Sequence, residues 1–242
     1  MSDNFGRTHD KETYLRESRY TQPKEYFKLL VDRARAANAI SDGSSVVDFG
    51  CAAGEFLYYL HDEFPTVSLT GYDVVPELIE KARAHVPGVT FELGSVLDPT
   101  LFLENSLDVA FLLGVHSIFD DFRGCFSNLM RWTRPGGHIY IFGLFNPFPL
   151  DVWVSFRRHG VESHVTREPG WNMFSKSAVS EFIEQTLGPN HHTFIPFEMP
   201  FDIATDPTDL VRSWTMIDEK GRRHVVNGLS LLCNLELLEL RP

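Results

Sequence analysis

Strand-type and helix-type segments alternate along residues 46–144, and this alternation restricts the fold more than any other feature of the chain. Short apolar runs bounded by turn residues are typical of buried strands, and the segments between them carry apolar residues at helical spacing. Strands that alternate with helices join through right-handed crossovers into a parallel sheet with helices on both faces. The pattern therefore predicts a doubly wound α/β fold. The predicted strands are residues 46–49, 67–72, 89–93, 107–113 and 138–144, and the predicted helices are residues 54–63, 76–85 and 120–133.

The flanking segments differ from this alternating core. The N-terminal part is a predicted helical preface, interrupted at Pro23, and the part after the fifth strand is aromatic and irregular. The C-terminal part is predicted to open with a helix at 175–187 and to end in β-rich stretches at 192–203 and 229–240, with a hairpin turn around residues 219–221. We expect a single domain of 242 residues in four parts: 1–45, 46–144, 145–174 and 175–242.

The charge and the cysteine content exclude several classes of protein. The formal net charge is −11, and because Lys and Arg contacts to phosphates supply most nucleic-acid affinity, we expect no nucleic-acid partner. The three cysteines are too few and too scattered for a disulfide framework or a zinc site, so we expect reduced thiols, no metal and a cytoplasmic location. No apolar run approaches the roughly 20 residues that span a bilayer, and we expect no membrane partner.

The segment VVDFGCAAGEF at residues 46–56 contains the strongest candidate for a ligand site. Asp48 ends a predicted strand, and Gly50 and Gly54 follow it before a helix, where small residues let the backbone approach a ligand. The spacing departs from the G-x-G-x-x-G fingerprint of dinucleotide sites, and a carboxylate here would repel pyrophosphate but attract an ammonium or sulfonium group. Asp73, after the second strand, is placed to accept hydrogen bonds from a ribose diol.

Five residues resemble the first two motifs of class I S-adenosylmethionine-dependent methyltransferases: Asp48, Gly50, Ala52, Gly54 and Asp73. The resemblance covers roughly residues 46–200 and extends through GSVLD, LDVAFLLGVHSIF and RPGGHIYIFG. It implies a Rossmann-like, mostly parallel seven-stranded sheet whose last strand is antiparallel, with a substrate-side insertion at 145–174, and S-adenosyl-L-methionine as cofactor. Ala52 stands where glycine is frequent. Ser95 stands where an acidic residue often holds the adenine amino group, which leaves that role to backbone groups near Ser95 and Val96.

The same resemblance implies the remaining cofactor contacts. Cys51 and Val74 belong to the loops after the first two strands, and Leu113 ends the fourth. A helical segment ahead of the first strand commonly serves as a lid in this family, which implies that Tyr14 and Tyr20 close over the cofactor.

His116 is the best-placed candidate for a general base. It follows the fourth strand at the carboxyl edge of the sheet, where open α/β folds bind their ligands. Methyl transfer depends mainly on in-line proximity and exclusion of water, and a base helps only when the acceptor must lose a proton, as a hydroxyl does. The alternative is a histidine that only lines the pocket or bonds to the backbone.

The irregular insertion at 145–174 is the candidate substrate wall, because long irregular insertions at the ligand edge are usually binding loops or lids. The residues that we expect to contact substrate are Asn146, Trp153, Arg157 and Trp171. The alternatives are simple core or a hydrophobic face for a second subunit, so a homodimer is also consistent with the sequence.

The sequence predicts an enzyme that methylates an oxygen or nitrogen of a small molecule. A similarity to methyltransferases of surface-saccharide biosynthesis favours a sugar derivative over other secondary metabolites. Two alternatives stay open: a nicotinamide-dependent oxidoreductase on a Rossmann sheet, and a catalytically silent cofactor-binding protein. The absence of G-x-G-x-x-G and the presence of Asp48 argue against the first, whereas only a turnover assay excludes the second.

Overall fold

The structure is a computed structural model that describes residues 8–159 and 167–242. Residues 1–7 of the predicted preface and residues 160–166 of the predicted insertion lie outside the described residues. The helices are α1 (Thr8–Arg16), α2 (Glu25–Ala36), α3 (Glu55–Glu63), α4 (Pro76–His85), α5 (Arg123–Trp132) and α6 (Lys176–Leu187), with a 3₁₀ turn at His116–Ile118. The strands are β1 (Ser45–Phe49), β2 (Ser68–Asp73), β3 (Thr90–Leu93), β4 (Leu107–Leu113), β5 (Thr133–Asn146), β6 (Ser155–Phe156), β7 (Glu168–Pro169), β8 (Phe174–Ser175), β9 (His192–Pro196), β10 (Trp214–Ile217), β11 (Arg223–Val226) and β12 (Leu235–Leu240).

The main sheet has the order β3-β2-β1-β4-β5-β12-β9, and the short β8 pairs with the end of β5. The strands from β3 to β5 are parallel, and β12 lies antiparallel to both of its neighbours. This confirms the predicted doubly wound, mostly parallel sheet with an antiparallel strand near one edge. The strand order changes direction between β1 and β4, which places the carboxyl ends of these two strands at the ligand edge of the fold.

The two faces of the sheet bury two apolar clusters. In β4, Val109 and Phe111 face the cluster that contains α2, α3 and α4, whereas Ala110 and Leu112 face the cluster that contains α5 and α6. Successive side chains of a strand point to opposite faces, so a strand covered on both faces is apolar at nearly every position. This explains the continuous apolar run that predicted the strand.

The predicted bounds of α4 and β4 are confirmed, but the predicted strand at 138–144 is too short. β5 begins at Thr133 because its pairing with β4 shifts register between Leu107 and Val109, which places the predicted Arg-Pro-Gly-Gly turn inside a bulged strand. A Cβ on Gly137 would lie 2.7 Å from the carbonyl oxygen of Asp108, so the close approach of the two strands requires glycine there.

The C-terminal region is less regular than predicted. The β-rich stretch at 192–203 forms a strand only over β9, and the stretch at 229–240 forms one only over β12. The predicted hairpin is confirmed: β10 and β11 pair antiparallel across a turn that includes Gly221, which has a φ of 77°. Over residues 8–159 and 167–242, no helix is both long and apolar enough to cross a membrane.

Candidate functional site

The loop between β1 and α3 has a left-handed backbone at three positions. The φ angles are 73° at Gly50, 48° at Ala52 and 78° at Gly54. The amides of Gly50 and Cys51 donate hydrogen bonds of 2.7 and 3.0 Å to the carbonyl oxygen of Tyr72 in β2. The loop is therefore held against the neighbouring strand while α3 begins immediately after it.

Steric contacts also require the two glycines. A Cβ on Gly50 would lie 2.3 Å from a methyl carbon of Val115, and a Cβ on Gly54 would lie 2.8 Å from the ring of Phe91. A positive φ also disfavours side chains at both positions. Ala52 shares the left-handed backbone, which is strained for a residue that has a Cβ.

Asp73 joins this loop to the loop after β2. Its two carboxylate oxygens accept hydrogen bonds of 2.9 Å from the amides of Ala52 and Val75. Burial raises the pKa of Asp73, and the backbone donors act in the opposite direction. Each oxygen keeps lone-pair capacity beyond these bonds, so the predicted ribose contact is compatible with the geometry and stays a prediction.

Asp48 is the unusual side chain of the site. It is 2% exposed, and its Oδ1 atom has no hydrogen-bond partner. Burial and the neighbouring charge of Asp73 raise the pKa of Asp48 well above the usual value. A buried carboxylate without a donor is costly, and an ammonium group would satisfy it. The unpaired carboxylate oxygen of Asp48 therefore fits a cationic ligand better than a pyrophosphate.

A small cavity of about 30 Å³ lies beside Asp48. Of the predicted cofactor residues, those that line it are Asp48, Gly50, Cys51, Ala52 and Leu113. Several other residues that line the cavity were not predicted, because no sequence motif marks them: Lys24, Tyr26, Phe27, Ala53, Glu55 and Phe56. Tyr14, which the resemblance implied, also lines it.

The lid segment, defined here as residues 8–20, lies across this cavity. The Tyr20 hydroxyl donates a hydrogen bond of 2.8 Å to the carbonyl of Ala53, and the amide of Arg19 donates one of 2.8 Å to the carboxylate of Glu55. The ammonium group of Lys81 in α4 donates to three carbonyls at the end of α1, at 2.6 to 3.0 Å, those of Tyr14, Leu15 and Glu17. The segment is therefore fastened both to the glycine loop and to α4.

Three further predicted cofactor residues, Val74, Ser95 and Val96, lie in the loops after β2 and β3. Val74 is 41% exposed, and the Ser95 hydroxyl accepts a hydrogen bond of 3.2 Å from the amide of Leu97. The side chain of Asn128 donates a bond of 2.8 Å to the carbonyl of Val96. Asn128, a buried residue of α5 that the sequence analysis missed, thus fixes the loop that contains Ser95 and Val96.

The structure favours the alternative for His116, a histidine that bonds to the backbone, over a base at the ligand site. The imidazole is fully buried, stacks on Phe145 at 4.7 Å, and places Nε2 3.2 Å from the carbonyl oxygen of Leu144. Burial lowers its pKa to about 4. It does not line the cavity beside Asp48, and the backbone-bonding alternative describes its position.

None of the four residues predicted to contact substrate lines the cavity beside Asp48. The side-chain amide of Asn146 donates to the carbonyl of Leu150 and accepts from the amide of Phe148, within its own turn. Arg157 is exposed, and Trp171 is half-buried. Trp153 is 58% exposed and lines a separate cavity of about 280 Å³.

Asn172 was missed and holds this second region together. Its side chain donates to the carbonyl of Phe119 and accepts from the amide of Val154, at 2.8 and 2.9 Å. This buried side chain is therefore one of the groups that anchor the insertion to the segment after β4, together with the indole of Trp153, which donates to the carbonyl of Asp120.

The fold and the loop after β1 define a Rossmann-like α/β domain with a candidate ligand site at the carboxyl ends of β1 and β4. Residues 46–137 match a family model described as "Methyltransferase domain". The matched segment is therefore a methyltransferase domain of the class I S-adenosylmethionine-dependent type, as the resemblance predicted.

Two curated relatives illustrate the similarity. The malonyl-[acyl-carrier protein] O-methyltransferase of Hahella chejuensis is 32% identical over 139 residues, which cover 56% of this chain and 49% of that protein. The trans-aconitate 2-methyltransferase of Methylobacterium nodulans is 29% identical over 119 residues, which cover 47% and 45%. The chain thus matches about half the length of these relatives.

Solved structures support the fold. The S-adenosylmethionine-dependent methyltransferase of Mesorhizobium loti superposes with a TM-score of 0.50 at 17% identity, covering 87% of this chain and 98% of that one. The YcgJ protein of Bacillus subtilis gives 0.55 at 15% identity, covering 89% and 97%. The comparisons give no support to the nicotinamide-dependent oxidoreductase alternative.

Proposed function

We propose that this chain transfers the methyl group of S-adenosyl-L-methionine to an oxygen or nitrogen of a small molecule. The single observation that carries the proposal is the buried, partnerless Oδ1 of Asp48 beside a glycine loop at the start of α3. The cofactor supplies an activated methyl group on a sulfonium, together with an ammonium group that the Asp48 carboxylate is suited to bind.

The chain's own residues have three tasks in this proposal. Asp48 and the glycine loop bind the amino-acid end of the cofactor, Asp73 accepts from its ribose, and the loop containing Ser95 and Val96 borders its adenine. The lid segment excludes water, with Tyr20 and Arg19 fastening it over the loop. Methyl displacement needs mainly proximity and a dry site, so this arrangement suits it.

The acceptor is the least determined part of the proposal. A sugar derivative or secondary metabolite is the acceptor class that the sequence favours. The names of two curated relatives instead point to acids, a malonyl group and trans-aconitate. Their matched segments each cover about half of this chain, so acids enter the acceptor screen beside sugars. We also propose a small-molecule substrate and no nucleic-acid partner, in keeping with the net charge of −11.

The test is calorimetric titration with S-adenosylmethionine, S-adenosylhomocysteine and NADH, followed by a screen for transfer of a labelled methyl group to sugars and acids. We expect binding of both adenosyl ligands and none of NADH. Asp48→Asn should weaken adenosyl binding by about tenfold to a hundredfold, because a charge-assisted hydrogen bond is lost. Asp98→Asn is the matched control, since Asp98 is exposed and caps only its own turn through Thr100. Absence of adenosyl binding by the unmodified protein would overturn the proposal.

A further inference from the structure

Lys24 places a positive charge in the cavity beside Asp48. It is half-buried, immediately precedes α2, and lines the cavity together with Asp48 and Leu113. Its Nζ atom lies over three aromatic rings, at 4.9 Å from the centroid of Tyr14, 5.8 Å from that of Phe27 and 5.9 Å from that of Tyr26. The ammonium group is therefore held in a defined place by aromatic faces.

Among the described residues, the anionic group that acts on this cation is Glu55 in the same cavity, which attracts it and helps to raise the pKa of Lys24 without forming an ion pair with it. No carboxylate among the described residues forms an ion pair with Lys24, whereas Lys28, one turn further along, pairs with Glu25 at 2.7 Å. Removing an ammonium group from water is costly unless an opposite charge meets it, and cation–π contacts offset only part of that cost. A half-buried cation that faces a ligand cavity and forms no ion pair among the described residues is thus suited to an anionic ligand group.

The aromatic neighbours of Lys24 connect it to β5, on the side of the cavity opposite the glycine loop. Tyr26 stacks on Phe142 of β5 at 4.3 Å, and Phe142 contacts Phe197 edge-on at 5.4 Å. The opposite wall of the same cavity is the loop of Asp48 and Gly50. Lys24 therefore lies where the glycine loop meets the aromatic side chains on β5.

Among the residues that the structure describes, no histidine lines the cavity. Burial raises the pKa of Tyr26 to about 12, so its phenol stays protonated at neutral pH. An acceptor hydroxyl would need a base, whereas a carboxylate is already ionised at neutral pH. An acidic acceptor is therefore compatible with the lining residues without further catalytic groups.

We propose that Lys24 binds the carboxylate of a ligand in this cavity. The inference rests on the proposed function and deepens it, because two ligands of a methyltransferase can bring a carboxylate here: the amino-acid end of the cofactor, or an acidic acceptor. Both offer the same chemistry to the ammonium group, an anionic oxygen pair that accepts its N–H donors.

The test compares Lys24→Met with the unmodified protein and with Lys28→Met, a control on an exposed face of the same helix. Calorimetry measures the binding of S-adenosylhomocysteine and of 5′-methylthioadenosine, which lacks the amino-acid portion. Saturation-transfer NMR measures the binding of trans-aconitate with and without S-adenosylhomocysteine. Lys24→Arg, which keeps the charge, should retain most binding.

Two outcomes support the proposal and identify the source of the carboxylate. If Lys24→Met weakens S-adenosylhomocysteine by about tenfold or more but leaves 5′-methylthioadenosine unchanged, the carboxylate belongs to the cofactor. If S-adenosylhomocysteine is unchanged and trans-aconitate binding is lost, it belongs to an acceptor. If Lys24→Met binds both S-adenosylhomocysteine and trans-aconitate as tightly as the unmodified protein does, the proposal is overturned. Failure of the proposed function is a separate result, because the unmodified protein would then bind neither adenosyl compound.

Discussion

The Tyr20 hydroxyl donates a 2.8 Å hydrogen bond to the carbonyl of Ala53, and this bond joins the lid segment to the loop that is proposed to bind the cofactor. The Tyr20 ring also stacks on His85 at 5.3 Å. The cavity beneath has about 30 Å³, whereas sites for ligands of nucleoside size have several hundred. We therefore expect the lid segment to move when an adenosyl ligand enters, and we expect the Tyr20 bond to oppose that movement.

Tyr20→Phe removes this bond while keeping the ring contacts, and a hydrogen bond of this kind contributes about 1 kcal/mol. We expect trypsin to cleave after Arg16 and Arg19 about fivefold faster in the variant, with S-adenosylhomocysteine present. A digestion time course followed by mass spectrometry measures this. Tyr59→Phe, on the neighbouring helix α3, is the control. Equal cleavage rates in both variants would show that the bond does not hold the lid.

Arg212 fastens the lid segment to the region between β9 and β10. Its guanidinium forms an ion pair with Glu17, whose other oxygen lies 3.4 Å from Arg19. A partly exposed pair contributes at most about 1 kcal/mol, so Arg212→Met should accelerate dissociation of S-adenosylhomocysteine by up to about fivefold. Stopped-flow fluorescence measures the rate. Arg222→Met, which loses only a local pair with Asp218, should leave the rate unchanged, and an equal effect of both would contradict the link.

Asp48→Asn should stabilise the protein while it weakens adenosyl binding. The native pKa of Asp48 is raised, so folding favours the protonated carboxyl, and the cost of its charge grows as pH rises above the ordinary carboxyl range. The gain from Asn should therefore be larger at pH 8 than at pH 5. Urea unfolding at both pH values measures it. A variant that is less stable at pH 8 would show that the carboxylate is satisfied within the fold.

His116 should make the fold sensitive to acid. Its native pKa is about 4 and its ordinary value is 6.5, so the unfolded chain binds the proton first and the stability present above pH 6.5 is lost as pH falls towards 4. Between pH 7 and pH 5 this amounts to about 2 kcal/mol. Urea unfolding of the unmodified protein and of His116→Gln measures this pH dependence, which the variant should lack.

The His116→Gln variant should also keep its methyl transfer rate, since the imidazole lies outside the cavity. A large loss of turnover in a stably folded variant would instead support the base hypothesis.

Local sequence patterns determined most of the core of the fold. The apolar run of β4, Pro76 at the start of α4 and the glycine loop after β1 each depend on neighbouring residues, so periodicity and turn chemistry were sufficient to predict them. Asp48 was predicted in the same way, because a carboxylate between a strand and a glycine loop is a local signal.

Tertiary packing decided the rest. Glu17 and Arg212 are 195 residues apart, and neither has a local pattern that indicates the other. His116 has the right position in the chain for a base, but its ring packs into the core against Phe145. Lys24 has no motif at all and enters the site only because the start of α2 packs against α3 and β5. Sequence alone determined the strand, loop and helix that form the cofactor side. Burial and charge pairing depend on distances between segments remote in the chain, which only the folded structure sets.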